Sequence, residues 1–325
     1  MMDWTDRYCR SFHRILSRRA RLYTEMVTAD AVIHGDRERL LGFDPPEHPI
    51  ALQLGGCDPH KLFLAARLGA QCGYDEINLN AGCPSDRVQS GRFGACLMAE
   101  PTLVRECLAA MRDGAEIVPV TLKCRIGIDD QKVEETLPRF IEEVSKSGIT
   151  TIIVHARKAW LEGLSPKENR SVPPLDYRLV FKMKAEFTSL NFVLNGGIDS
   201  MVVVPTHLAH VDGVMMGRAA YQNPAILLDV DRDVFGEVAP RRTRRDAVEE
   251  FLPVIERKLN SGVPLHAITR HMLGLFNGLP RARTWRRILT EGARGPGARI
   301  DVVKQALEAV CAARSAEPAL EMSHV

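Results

Sequence analysis

One cysteine of this chain stands where a cysteine can do chemistry. In EINLNAGCPSDRV, Glu76 to Val88, a short alternating run ends at Asn80 and turns through Gly82, Cys83 and Pro84. An ordinary thiol has a pKa of ~8.5, so it is mostly protonated at neutral pH and has a proton to give. At a strand tip it can serve as a general acid. Packed inward, it is a small hydrophobe. Cys96, in FGACLM, sits in an apolar run and reads as packing.

Other polar groups also stand where apolar runs end. They are Gln53, Asn78, Asn80, Lys123, Arg125, His155, Arg157, the triplet Asn195-Gly196-Gly197 and the pair Gly217-Arg218. Taken singly, Lys123 reads as a salt-bridge partner and His155 as a satisfied structural histidine. Taken together they form a ring of donors around one cavity. Glycines let backbone N–H groups approach an anion, and Arg218 adds a guanidinium. With Asn223-Pro224 behind them, NGG and GR match the phosphate site between the last two loops of a barrel. The alternative is two ordinary glycine turns. A phosphate site beside a lysine and a histidine suits flavin mononucleotide, FMN. Donors near the flavin ring would stabilise its reduced, anionic form.

The elements that must hold these residues are short strands alternating with longer helices. Strands are expected at 20–26, 49–54, 76–80, 118–124, 151–156, 191–195 and 211–216. Helices are expected to start near Thr5, Thr28, Asp58, Pro101, Asp129, Pro174, Ser200 and Asn223. This alternation implies βαβ units and a parallel sheet, read here as a (β/α)8 TIM barrel. Seven strands are one short of eight, and the first helix has no strand before it. The chain is therefore expected to begin just after, or within the last residues of, the barrel's first strand, as a misassigned start codon would leave it. After Gly236 four helical stretches follow without strands, from Thr243 to Arg314. The expected organisation is a barrel over residues 1–236, a helical bundle over 241–314 and a disordered tail over 315–325.

Composition narrows the class. A chain of 325 residues can hold one large barrel and a small second domain. No apolar run approaches the ~18 residues that span a bilayer, and the N-terminus has no apolar signal core. Eight cysteines without a CxxC pair or metal-ligand spacing point to reduced thiols, no metal site and a cytoplasmic protein. The total charge is +2, yet residues 241–299 carry 13 Lys/Arg against 5 Asp/Glu. Such a basic segment on an acidic body suits an anionic partner, or else a solvated arginine-rich face.

Long motifs give these features a family. YDEINLNAGCPSDRVQSGRFGACLM, VTLKCRIGIDD, HARKAWLEGLSPKENR, DGVMMGRAAYQNP and RHMLGLFNGLPRARTWRR resemble the bacterial tRNA-dihydrouridine synthases of the A subfamily, from Met1 to about Arg314. The resemblance implies an FMN-containing barrel that reduces uridine to 5,6-dihydrouridine in the tRNA D-loop, at positions 20 and 20a, with NADPH as electron source. It implies that Cys83 gives a proton to uracil C5 while hydride passes from the flavin to C6. It assigns Gln53, Lys123, His155, Asn195, Gly196, Gly197, Gly217 and Arg218 to FMN. Asn80 is implied to hold the uracil, and Lys167, Asn169 and Arg170 to lie on a loop covering the site. Arg87, Arg283, Arg286 and Arg287 become candidates for tRNA backbone contacts. The family's first strand ends in Ala-Pro-Met next to the flavin, and of that motif only Met1 and Met2 remain. The chain is expected to act as a monomer. Two other readings stay open: a flavin barrel acting on a free pyrimidine or small enone, and a tRNA-binding protein without flavin.

Overall fold

The computed structural model describes residues 1–85, 91–238, 242–295 and 297–312. The chain forms two compact units. The first comprises Met1–Arg10 and Ala20–Arg218. The second comprises Ser11–Arg19 and the chain from Ala219 onward. The division falls after Arg218 rather than near Gly236, and a piece of the first helix (Arg7–Leu16) belongs to the helical unit.

The first unit has a TIM-barrel fold. Seven parallel strands pair in chain order: β1 (Leu22–Thr28), β2 (Ile50–Gly55), β3 (Glu76–Ala81), β4 (Val120–Arg125), β5 (Thr151–His155), β6 (Asn191–Asn195) and β7 (Gly213–Met215). Among the described residues β1 and β7 each pair on one side only. Apolar and polar residues alternate along β3. Leu52 and Ile77 meet the helix Pro59–Gln71 at Gly69 and are fully buried. Asn78 turns the other way, in register with Gln53 of β2 and Thr121 of β4. A period of two therefore separates the helix-facing layer from the barrel interior.

Several helix starts lie where the sequence places them. The side chains of Thr28 and Asp58 cap the helices Ala29–His34 and Pro59–Gln71. Others do not. Asp129 is a loop residue with φ 44°, its carboxylate accepts from Leu161 N at 2.8 Å, and the next helix begins at Val133. The helix expected near Pro174 begins at Tyr177 under an Asp176 cap. Pro224–Asp229 is a 3-10 turn, and Asn223 makes no capping bond.

In the second unit the helix Arg244–Asn260 opens on a reciprocal Thr243/Asp246 capping box. Phe12 packs on Phe251, with ring centroids 5.1 Å apart. Trp285 is fully buried against Phe276, and its indole N–H donates to the Met272 carbonyl at 3.1 Å. Helices Leu265–Thr269, Ala282–Gly292 and Asp301–Cys311 complete the unit. Arg87 and the expected tail after 315 lie outside the described residues. No helix among the described residues is long and apolar enough to cross a membrane.

One glycine decides how two barrel helices meet. A Cβ on Gly114 would stand 2.3 Å from the Phe63 carbonyl oxygen. Alanine gains up to ~1 kcal/mol of helix propensity over glycine. Forcing two backbones apart costs ~1–3 kcal/mol. The clash is therefore expected to win: Gly114→Ala should lower the melting temperature measured by calorimetry.

Candidate active site

Cys83 sits just beyond β3 and is half-buried. Its turn hangs from one side chain. The Asn80 Oδ1 accepts from both Gly82 N and Cys83 N, each at 3.0 Å. The Cys83 carbonyl accepts from Ala95 N at 2.9 Å, and its sulfur lies 3.6 Å from Ser85 Oγ. Gly82 is needed because a Cβ there would press on the β4 backbone at Cys124, 3.3 Å away. Cys96 is different. Its thiol donates to the Phe93 carbonyl at 3.2 Å, and burial pushes its pKa up.

Around Cys83 the barrel mouth is strongly cationic. Burial, then repulsion from Arg125, lowers Lys123 to about 8. Burial lowers Arg125 to about 10, with Arg170 and Arg157 adding to the effect. Burial and the charges of Arg125, Lys123, Arg157 and Arg218 hold His155 at about 2, so it is a neutral imidazole. Arg157 and Arg170 are also pushed down, by burial and by Arg218. Among the described residues no carboxylate pairs with any of these six groups. Among the described residues the opposing influences come from thiols: Cys124 and then Cys83 on Lys123, and Cys83 on Arg125 and Arg170.

Arg125 binds the mouth together. Its Nε donates to the Gly82 carbonyl at 2.9 Å, and its Nη1 donates to the carbonyls of Lys158 and Asn169 at 2.9 and 2.8 Å. It thereby joins the cysteine turn to the loop after β5. Arg218 donates to the Arg170 carbonyl at 2.9 Å, fastening the same loop to the end of β7. Sequence reading noted Arg125 and Arg157 as strand-end residues but gave them no role. Basic residues two positions past Lys123 and His155 were the available signal.

The other expected site residues divide into two groups. Gly196 and Gly197 take φ of 108° and 70°, and Gly196 runs against the His155 ring, where a Cβ would stand 3.0 Å away. Gly217 has only the Met1 sulfur nearby, at 3.5 Å from a Cβ placed there. Met2 is exposed. Two buried nitrogens, His155 Nδ1 and Arg157 Nε, have no partner. Cations without counter-ions, a glycine cradle and orphaned polar atoms fit a phosphate-bearing anionic cofactor. Several amides, by contrast, are already engaged. Asn195 donates to the Met215 carbonyl at 2.7 Å. Asn169 is fully buried and bonds to Trp160 and Leu164 of its own loop. Asn80 donates to Gln53 at 2.9 Å. Lys167 is exposed on that loop. Among the described residues no group of His, Cys, Asp or Glu is placed to hold a metal ion.

The helical unit carries a second cationic feature. Arg283, Arg286 and Arg287 are exposed on Ala282–Gly292, and Arg281 precedes them with φ 59°. Arg281, Arg283 and Arg286 line a cavity of about 360 Å³ with Gly278, Leu279 and Ala282. No carboxylate pairs with these arginines among the described residues. Arg286 donates instead to Asn277 Oδ1 at 2.6 Å.

Comparison with known proteins places this arrangement in a family. A solved 2-naphthoyl-CoA reductase bound to 2-naphthoyl-CoA superposes with a TM-score of 0.52 at 11% identity, over 69% of this chain and 46% of that one. The TcOYE–pHBA complex superposes with a TM-score of 0.50 at 12% identity, over 74% of this chain and 86% of that one. Both share the fold. The chain is 54% identical over 308 residues to the tRNA-dihydrouridine(20/20a) synthase of Vibrio vulnificus, covering 94% of each. It is 56% identical over 308 residues to that of Vibrio cholerae, again covering 94% of each. With the Salmonella typhimurium protein of the same name it shares 55% over 311 residues, 95% of this chain and 93% of that one. Residues 1–315 match the sequence model described as dihydrouridine synthase (Dus), and the chain belongs to that family.

Proposed function

We propose that this chain reduces uridine to 5,6-dihydrouridine in the D-loop of tRNA, at positions 20 and 20a, as the names of its relatives describe for them. The observation that carries this reading is a half-buried thiol interacting electrostatically with Lys123, Arg125 and Arg170, cations that no carboxylate among the described residues pairs with. The mouth residues would hold FMN, which when bound would supply hydride chemistry for C6 of the uracil ring, with NADPH as the source of electrons. Cys83 gives its thiol proton to C5, a C–H bond forms, and the thiolate left behind is reprotonated from solvent. Lys123 and Arg125 would stabilise negative charge that gathers on the ring oxygens. Gly196, Gly197, Gly217 and Arg218 offer donors for the cofactor phosphate, with His155 Nδ1 and Arg157 Nε as the atoms still lacking a partner. Gln53, on β2, is a further candidate donor to the cofactor. Met1, placed at Gly217, would border the same site.

The helical unit is read as the tRNA-binding part. Arg281, Arg283, Arg286 and Arg287 meet backbone phosphates, and the energy of those contacts offsets the few kcal/mol needed to unstack the target base. The protein is further read as cytoplasmic and monomeric.

The reading has a direct test. Purified protein with NADPH and unmodified tRNA should add two hydrogens to D-loop uridines, detected by nucleoside mass spectrometry. Cys83→Ala should keep flavin and tRNA binding yet lose ~10²–10⁴ in rate. Full activity in Cys83→Ala, with loss in Cys96→Ala, would sink the assignment.

Lys123 makes cofactor binding depend on pH. Its pKa is lowered to about 8, so its charge is mostly present at neutral pH and is lost as pH rises through about 8. A phosphomonoester is already doubly ionised there, since its second pKa is ~6. FMN affinity, followed by quenching of flavin fluorescence, should be level near neutrality and fall above pH ~8. Lys123→Met should weaken binding and flatten that decline. For the tRNA contacts, Arg283→Gln or Arg287→Gln should weaken binding alike for all tRNA sequences. Each should reduce the slope of log affinity against log salt by about one.

A further inference from the structure

Asn80, which holds the cysteine turn, is the last member of a chain of buried hydrogen bonds running through the barrel interior. Asn80 Nδ2 donates to Gln53 Oε1 at 2.9 Å, and Gln53 Nε2 donates to Asn78 Oδ1 at 2.9 Å. Asn78 Nδ2 donates to Thr121 Oγ1 at 2.7 Å, and the Thr121 hydroxyl donates to Glu76 Oε1 at 2.6 Å. Glu76 also accepts from the Tyr23 hydroxyl at 2.6 Å and pairs with Arg21. Every member from Glu76 to Asn80 is 9% exposed or less.

We infer that Glu76 and Thr121 are positioning residues for Cys83, acting through this relay. An ionised carboxylate has only acceptors, so the Thr121 proton must point at Glu76. Thr121 Oγ1 is then left to accept from Asn78. The Asn78 carbonyl must accept from Gln53, and the Gln53 carbonyl from Asn80. The Asn80 carbonyl is free for the N–H groups of Gly82 and Cys83. One charge at the first residue of β3 thus fixes the orientation of three amides and, through them, the turn beyond its end. Reversing the chain would set the Asn80 NH₂ against two backbone N–H groups. The relay also determines what remains for a ligand. Asn80 keeps one N–H and no side-chain carbonyl lone pair, whereas Gln53 keeps one N–H and one lone pair on Oε1. Asn80 therefore meets a substrate or cofactor as a donor to a carbonyl oxygen.

The role assigned to the relay rests on Cys83 being the acid, which Cys83→Ala tests independently. The relay itself is tested with two substitutions of Thr121 in the full-length protein. Thr121→Val keeps the shape and removes the hydroxyl. Thr121→Ser keeps the hydroxyl. Two quantities are measured: turnover with tRNA at saturation, and the rate at which iodoacetamide alkylates Cys83, read by peptide mass spectrometry against exposed Cys72 as internal standard. Thr121→Val should lower turnover at least ~10-fold with tRNA affinity unchanged, because small misplacements of a reacting group are costly. It should also change the relative alkylation rate of Cys83 by ~3-fold or more, a readout that needs no catalysis. Thr121→Ser should restore both. Native turnover and native Cys83 alkylation in Thr121→Val would overturn the inference. So would a Thr121→Ser protein that fails in the same way as Thr121→Val. If Cys83→Ala proves fully active while Thr121→Val still alters Cys83 alkylation, the acid assignment fails and the relay stands.

Discussion

The structure of the barrel mouth follows from uncompensated positive charge. Lys123, Arg125, Arg157 and Arg218 gather around a neutral His155, with Arg170 beside Arg218, and no carboxylate among the described residues pairs with them. Burying like charges together is unfavourable, and the lowered pKa values of Lys123 and Arg125 express that cost. A fold keeps such a cluster where an anion is to be held. Cys83 stands within the same electrostatic field, since its sulfur interacts with Lys123, Arg125 and Arg170.

Arg125 turns that field into architecture. It spends its hydrogen bonds on three neutral carbonyls, so its geometry is fixed while its charge stays available. Two of the carbonyls belong to the loop after β5 and one to the cysteine turn. The loop closes on itself through Asn169 and is tied again by Arg218. The loop after β5 and the cysteine turn are therefore held by the groups that create the potential. A change in the loop's position must disturb the bonds of Arg125, and with them the turn.

All seven strands were legible in the sequence, because alternation ending in a polar residue is a local pattern. Helix starts were legible where a cap precedes the first turn, as at Thr28 and Asp58. They were missed at Asp129 and Pro174, where loops follow β4 and β5 and Asp129 binds across to Leu161 of the other loop instead of capping a helix. The cationic strand ends were visible, but their lack of counter-ions was not, since that depends on residues far apart in sequence. Asn80 and Asn169 show the same limit. Each reads as a ligand residue because an amide beside a catalytic loop has spare capacity in sequence. In the structure most of that capacity is taken by partners such as Gln53, 27 residues away.

The alternation of EINLN is therefore more than a strand signature. In most barrels the interior layers are filled by branched apolar side chains. Here Glu76, Asn78 and Asn80 face inward beside Gln53 and Thr121, and the apolar residues Ile77 and Leu79 face the helices. A buried polar network is costly unless every member is satisfied, and a satisfied one permits few alternative arrangements. An apolar interior would pack as well but would leave the Asn80 amide free to rotate. The polar interior gives up some packing energy and gains a single orientation at the turn that carries Cys83.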